Sequence, residues 1–368
     1  MADVIDGGHP LIRYGWHGQV AARFANHAAA GARPGRVVAE HRGSYVIVTE
    51  FGEREASVSG RFRHVAEFAE DFPAVGDWVA VEAIDGAGSA VIQAVLPRQT
   101  RFVRPARGGI PGAQVVAANV DVALVVVGLD QDFNMRRLER YLALTWSSGA
   151  EPVIVLNKAD VCDDVGARLA DVASVAPGVP IRVLSALART GLESLSPLLE
   201  PGRTVVLLGS SGVGKSTIVN ALLGCERQQT GEVRADDQRG RHTTTMRELL
   251  VMPAGALLID NPGIRSVGMW EVEDGLADAF ADIAALAQEC RFSDCAHGSE
   301  PGCAVGRAIA EGTLPAARLE SQRKLARESA ALAARVDPEA RARHRARWRA
   351  IHKSVRIHMR VKYGPDAG

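Results

Sequence analysis

The chain has 368 residues, 47% of them hydrophobic, which is enough for two or three domains with sizeable cores. No apolar run approaches the ~20 residues needed to cross a bilayer, and the N-terminus, with Asp3 and Asp6, does not read as a secretory signal. The formal net charge is +0, which excludes a global field drawing the protein to nucleic acid, so such binding must rest on local charge. Five cysteines in a chain without a signal point to the reducing cytosol, with thiols free or metal-bound.

Residues 1–35 are rich in Ala and Gly, hold little periodicity, and predict a poorly ordered or loosely helical lead-in. From Arg36 the texture changes to short strands with turn signals between them, at 36–41, 44–50, 54–59, 77–83 and 90–96. Five short strands within 36–100 predict a small β-barrel, an OB-fold in preference to an SH3-like barrel. On an OB-fold, Arg61 and Arg63 around Phe62 would suit an oligonucleotide-binding face; in the SH3-like alternative Phe62 belongs to the core. The run 98–107, RQTRFVRPAR, carries Arg98, Arg101, Arg104 and Arg107, with no acidic residue between Asp85 and Asp121. Residues 101–119 accordingly read as a basic linker, equally suited to solvent or to phosphate contacts.

Residues 120–272 alternate strands and helices. Strands are predicted at 121–128, 152–157, 181–186, 205–208, near 247–252 and at 256–260, with a helix over 134–148 that aligns Leu138, Tyr141, Leu142 and Thr145. Six strands interleaved with helices predict a mostly parallel, doubly wound α/β sheet. Within it, VVLLGSSGVGKST (205–217) is a strand running into Gly209, four further residues, then Gly214-Lys215-Ser216: the P-loop pattern before a helix. Such a loop (Gly209, Ser210, Ser211, Gly212, Val213, Gly214, Lys215, Ser216, Thr217) curls backbone N–H groups around phosphates at a helix N-terminus. Lys215 brings charge to the β/γ-phosphates, and the Ser216 hydroxyl suits Mg²⁺.

Asn157-Lys158-Ala159-Asp160 closes an earlier strand, where ligand loops of such sheets lie. The Asp160 carboxylate can accept from the N1–H and 2-amino group of guanine, and adenine offers neither donor. Asn157 can support the base edge, and the Lys158 stem can lie over its face. Ser185-Ala186-Leu187 follows the next strand and completes the set that selects guanine. Asp260-Asn261-Pro262-Gly263 ends a later strand: Asp260 is placed to hold Mg²⁺ through water and the Gly263 N–H to meet the γ-phosphate. Between them the polar stretch 225–246 reads as a switch segment containing Arg241-His242-Thr243-Thr244-Thr245, with Thr244 the first candidate for Mg²⁺ and Thr243 the next. The order is unusual. In Ras-like GTPases the P-loop comes first; here NKAD and SAL precede it, so the sheet is circularly permuted.

Cys290-x₄-Cys295-x-His297-x₅-Cys303 offers three thiolates and an imidazole, a closed tetrahedral set that predicts one structural Zn²⁺. Residues 273–368 join this knuckle to a tail, 319–362, that is helical in pattern, and 341–362 holds nine Lys or Arg and no Asp or Glu, a nucleic-acid footprint.

Together the permuted order, GRHTTT (240–245), GSSGVGKST and the Cys₃His spacing resemble the ribosome small-subunit-dependent GTPases of the RsgA/YjeQ type, over roughly residues 36–360. The resemblance implies an OB-fold, a permuted GTPase and a zinc-binding helical domain. It implies a cytoplasmic monomer acting late in maturation of the small ribosomal subunit on 16S rRNA, with GTP hydrolysed to GDP, Mg²⁺ accompanying GTP, and turnover stimulated by the subunit. Asn261, where the family more often has Thr or Ser, and the long lead-in depart from that pattern. The competing expectation is a GTP-dependent switch whose zinc domain binds a protein partner. Ras-like enzymes orient the attacking water with a Gln just after the D-x-x-G glycine; here that position is Ile264, and the nearest polar candidate by motif is His242.

Overall fold

The computed structural model describes residues 9–41, 43–82, 88–105, 113–225, 247–260, 272–298 and 300–334. From residue 9 on, the stretch before the barrel is helical, as one of the two expectations had it, and it is packed, not poorly ordered. A 3-10 turn at Ile12–Tyr14 leads into helix α1 (Gly18–Ala29), whose Val20 and Phe24, four residues apart, share the buried face. Leu11, Tyr14 and Trp16 are buried with them, and Trp16 meets Phe24 and Trp78 edge-on at 5.8 and 5.2 Å between ring centroids.

The first five strands are β1 (Arg33–His41), β2 (Ser44–Thr49), β3 (Gly52–Val58), β4 (Trp78–Val81) and β5 (Ala90–Val95). Their order is β1-β2-β3-β5-β4, and β4 pairs back onto β1, so the barrel closes and these strands leave no free edge among themselves. Val37, Tyr45, Ile47, Val58, Val79, Val81 and Ile92 fill it. Helix α2 (Gly60–Val65), capped by the Ser59 hydroxyl accepting from the Phe62 N–H, carries Phe62 half-buried against this core, edge-on to Phe72 at 5.9 Å. Phe62 therefore packs inward and is not an open platform for a base, although Arg61 and Arg63 are exposed.

The basic linker is a hairpin. β6 (Arg101–Pro105) and β7 (Ala113–Ala118) pair antiparallel, and their arginines are committed internally. Arg98 makes two bonds to the buried Asp77 carboxylate, at 2.8 and 2.7 Å, and donates to the Glu70 and Phe72 carbonyls. Arg101 pairs with buried Glu70 at 2.6 Å, and Arg104 donates to Gln114. A buried guanidinium must be paired to stay charged, and the Asp77 and Glu70 carboxylates meet that need, which overturns the phosphate-contact reading for Arg98 and Arg101; Arg104 is half-buried and its partner Gln114 is neutral. Arg107 lies outside the described residues.

The second half of the sheet comprises β8 (Val122–Gly128), β9 (Glu151–Asn157), β10 (Ile181–Val183), β11 (Thr204–Leu208), β12 (Arg247–Val251) and β13 (Leu257–Asp260). Their order is β10-β9-β8-β11-β13-β12, parallel throughout except for β12. Every residue of β8 is buried, as a strand covered on both faces requires. Ala123, Val125 and Val127 face helix α3 (Met135–Ser148) with Leu138 and Leu142; Val122, Leu124 and Val126 face helix α5 (Lys215–Leu223) with Ile218 and Val219. The chain thus leaves β8 on one face and β11 on the other. That divergence opens a crevice at their carboxyl ends, where ligands of such sheets bind. β12 also pairs antiparallel with β1, Glu40 opposite Arg247 with an ion pair at 2.7 Å, so barrel and parallel sheet form one eleven-stranded sheet.

Helices α6 (Glu273–Ala279), α7 (Ala281–Ala287), α8 (Ala304–Ala310) and α9 (Ala316–Ala334) follow, with α4 (Val165–Val175) earlier, between β9 and β10. α6 lies so close on α3 that a Cβ at Gly275 would fall 2.1 Å from Ser147 Oγ. Among the described residues no helix is long and apolar enough to cross a membrane. The basic tail 341–362 lies outside them.

Candidate functional site

β11 delivers the chain into the predicted phosphate loop, and α5 begins at Lys215 with Gly214 as its N-cap. Two glycines there are obligatory for close approach. A Cβ on Gly209 (φ 146°) would meet the Val126 carbonyl oxygen at 2.5 Å, and one on Gly214 (φ 94°) would meet Asn157 Nδ2 at 2.1 Å. Ser211 and Gly212 are exposed, while Ser216 and Thr217 sit half-buried in the first turn of α5. The Lys215 ammonium donates to the Gly209 carbonyl at 2.7 Å and to that of Ser210. It is thus folded back over the loop, where phosphate oxygens would compete for it.

Asn157, 2% exposed, fastens this loop to two others. Its Nδ2 donates to the Val213 carbonyl at 2.8 Å, and its Oδ1 accepts from the Ala186 N–H at 3.0 Å. One Nδ2–H and one Oδ1 lone pair thus hold the loops together, which leaves the second of each for the base edge. Ser185 is buried, and its Oγ accepts from the Ala188 N–H at 3.1 Å, which shapes the turn after β10. Lys158 stands in the left-handed region at φ 66°, and its ammonium contacts Asp130 Oδ2 at 2.5 Å. Burial pushes the Asp130 carboxyl up, but the Lys158 bond and the Asp132 N–H outweigh it and hold the group below the usual carboxylate range. Asp160 is exposed at the end of this loop and accepts no hydrogen bond among the described residues.

Asp260 ends β13; the register Val206 opposite Ile259 puts it at the same sheet edge as the phosphate loop. The structure therefore brings Asn157, Ala186, Val213, Gly214, Lys215 and Asp260 to one end of adjacent strands. His242, Thr244 and Gly263 lie outside the described residues. Sequence reading passed over Asp130 and Asp132, in the loop after β8, and Arg137 in α3. Two acids just past the carboxyl end of a buried strand were the available signal.

The second cluster lies between α7 and α8. Cys290, Cys295, His297 and Cys303 bring their ligand atoms within 4.8 Å of one another. His297 Nδ1 is 3.6 Å from both Cys290 Sγ and Cys303 Sγ, and those sulfurs are 3.9 Å apart. Metal–sulfur bonds of about 2.3 Å at the tetrahedral angle demand sulfur–sulfur edges of about 3.8 Å, so the donors fit a zinc-sized ion. All three cysteines are free of disulfides, and Cys303 Sγ accepts from the Gly306 N–H at 3.2 Å, as a thiolate ligand would.

A phosphate loop, a guanine-type loop and an acid at the edge of one sheet, with NKAD ahead of the P-loop in the chain, define a circularly permuted P-loop GTPase. Comparison with known proteins agrees. A family model described as RsgA GTPase matches residues 95–270. A protein of Opitutus terrae named small ribosomal subunit biogenesis GTPase RsgA is 46% identical over 361 residues, covering 96% of this chain and 98% of its own. A Streptomyces coelicolor protein of the same name is 45% identical over 359 residues, covering 96% of each chain. The crystal structure of YjeQ from Thermotoga maritima superimposes with a TM-score of 0.60 at 28% identity, over 81% of this chain and 98% of that one. YloQ, described as a circularly permuted GTPase, gives a TM-score of 0.58 over 81% and 95%; at 23% identity it speaks to the fold alone. The chain belongs to the RsgA GTPase family, and it is a GTP hydrolase.

Proposed function

We propose that the protein is a cytoplasmic, monomeric maturation factor that binds the 16S rRNA of the small ribosomal subunit in its GTP form and leaves it after hydrolysis. The observation that carries the GTP half of this reading is Asn157, which holds the phosphate loop and the Ser185-Ala186 loop on the NKAD loop in one crevice. The ribosomal half is supported by the names of the relatives, small ribosomal subunit biogenesis GTPase. In this reading the strand order β1-β2-β3-β5-β4-β1 is that of an OB-fold, and the chain divides into that barrel, a GTPase domain over 120–272 and a zinc-binding helical domain over 273–368.

Ser216, Thr244 and Asp260 would hold Mg²⁺, which would neutralise phosphate charge. Lys215 exchanges its carbonyl partners for phosphate oxygens, Asp160 accepts from guanine, and the Gly263 N–H meets the γ-phosphate. His242 takes the water-positioning role that Ile264 cannot fill. A neutral imidazole accepts a hydrogen bond from the attacking water. Docking on the subunit would bring His242 to the attacking water and so account for stimulated turnover.

Pelleting with purified small subunits tests the reading. The protein should co-sediment with a non-hydrolysable GTP analogue, remain in the supernatant with GDP, and release steeply as salt rises. His242→Ala should still pellet while losing most of the stimulated hydrolysis. Failure to pellet in either nucleotide would leave a switch acting on a protein partner as the better reading. Full stimulated turnover in His242→Ala would move the catalytic group elsewhere.

Cys290, Cys295, His297 and Cys303 would hold one structural Zn²⁺ with no open position. Elemental analysis of protein purified without chelators should return one zinc per chain, and Cys295→Ser should lose it while nucleotide binding persists. Zinc absent from the wild-type protein would refute the assignment.

A further inference from the structure

The loop between β8 and α3 ties the phosphate loop to the C-terminal helices. Asp132 Oδ2 accepts from Ser210 Oγ at 2.8 Å, and Asp132 Oδ1 receives Arg137 at 2.5 Å. Arg137 also donates to the Asp132 carbonyl at 2.6 Å, and the Asp132 N–H goes to Asp130 Oδ1 at 3.1 Å. Ser210 is therefore held from two sides: its carbonyl accepts from Lys215, and its hydroxyl donates to Asp132. Phosphate binding must draw the Lys215 ammonium off the Gly209 and Ser210 carbonyls. Asp132 then remains as the tether that sets where the Ser210 peptide goes.

The far end of the connection is as well defined. Arg137 sits in the first turn of α3, and its charged neighbours on that helix all reach the C-terminal helices. Arg136 meets Glu320 at 3.2 Å, Glu139 meets buried Arg318 at 2.8 Å, and Arg140 grips Glu328 through two bonds of 2.7 Å. The fork-to-fork pair and the buried pair fix orientation as well as distance. α3 is an unbroken helix of 14 residues, capped by Asn134 accepting from the Arg137 N–H at one end and by Gly149 in the left-handed conformation at the other. A displacement imposed on its first turn is passed along it as a rigid body.

We propose that Asp132 is a positioning residue for the phosphate loop, and that through Arg137 and α3 it transmits nucleotide binding to α9. This route is separate from the segments that follow the P-loop and does not depend on the ribosome. Because coupling between two sites is reciprocal, whatever engages α9 alters nucleotide affinity through the same contacts.

Hydrogen exchange of the full chain, with and without saturating GDP, tests it. In the wild type, GDP should change exchange of the α9 amides (316–334) by about fivefold or more. Arg137→Ala leaves the Ser210–Asp132 bond intact, so it should keep GDP affinity within about threefold and lose the α9 response. Asp132→Ala should lose the response and weaken GDP by about tenfold, while Asp132→Asn, which still accepts from Ser210, should recover most of that affinity. An α9 response undiminished in Arg137→Ala at saturating GDP overturns the proposal. So does a wild type that binds GDP with no change in α9.

Discussion

Replacing Asp160 by Asn should weaken GTP binding by about 10²–10⁴-fold and make xanthosine triphosphate the competitive ligand. The carboxylate is exposed at the end of the loop whose first residue, Asn157, is locked to the phosphate loop, so its position relative to the phosphates is set by the backbone. It accepts no hydrogen bond among the described residues, which leaves both oxygens for the two donors of guanine, N1–H and the 2-amino group. An Asn amide presents one acceptor and one donor. Against guanine its NH₂ faces the 2-amino group and the site holds an unmatched pair; against xanthine, which carries a carbonyl at that position, the pair is matched. Folding stability should stay within about 0.5 kcal/mol, because the side chain is exposed and supports nothing else. Competition titrations against a fluorescent GDP give the answer directly. GTP affinity equal to that of the wild type would take Asp160 out of the base site.

Arg318→Ala should be among the most destabilising single substitutions in the chain, at about 3–5 kcal/mol. Arg318 projects from the start of α9 into a pocket of acids and is 4% exposed. It donates to Glu139 of α3 at 2.8 Å, to both Asp282 oxygens at 2.5 and 2.8 Å and to the Ala279 carbonyl at 2.8 Å, and it stacks over Phe280 at 4.8 Å. Removing it leaves Glu139, 3% exposed, as a buried charge with its principal counter-ion gone. Burial already pushes the Glu139 carboxyl above its ordinary range, against the Ser321 hydroxyl and Arg318, which pull it down. Without Arg318 the folded-state value rises further above the unfolded one. A carboxyl shifted in that direction binds more protons folded than unfolded. Its stabilising contribution is present below the unfolded value and lost as pH rises through the folded one, so the variant's deficit should shrink on mild acidification. Adding Glu139→Gln should recover part of the loss. Denaturant midpoints of the single and double variants at two pH values measure both effects; a deficit independent of pH and untouched by the second substitution would show that lost packing, and not the stranded charge, dominates.

The parts of this structure legible in the sequence are those whose chemistry demands particular residues at fixed local spacing. Gly209, Gly214 and Lys215 stand within seven residues of one another in a recognisable pattern, although the atoms that forbid a Cβ at the two glycines, the Val126 carbonyl and Asn157 Nδ2, come from other strands, and the Cys/His cluster announces itself by the same kind of local spacing. The strands of the barrel and the parallel sheet declared themselves through runs of apolar and β-branched residues. What escaped depends on partners far along the chain. Arg98 and Arg101 look like a solvent-facing basic run until the fold delivers Asp77 and Glu70 to them. α1 has two buried apolar anchors, Val20 and Phe24, too few for a periodic signal; Trp16, ahead of the helix, joins Phe24 to Trp78 of the barrel. The motif assigns Asn157 to the base but does not announce its second task, holding Val213, 56 residues on, and Ala186. Asp132 carries no motif at all; its meaning comes from Ser210.

The place of β11 has a consequence for how the chain is made. It lies between β8 and β13, in the middle of the parallel sheet, yet it leaves the ribosome after β8, β9 and β10. At about 5–20 residues per second, the stretch from Gly128 to Leu208 takes roughly 4–16 s to synthesise. During that interval β8, with the sequence VALVVVG, can pair with β9 on one side only; its other edge offers unpaired backbone groups beside apolar side chains. β1 waits longer still for the far side of its register, since Ala39 pairs with Glu248. An unpermuted chain makes the central strand first and lets the sheet grow outward around it. Here the flank is made first and the middle is inserted, so each nascent copy passes through a window with a sticky apolar edge.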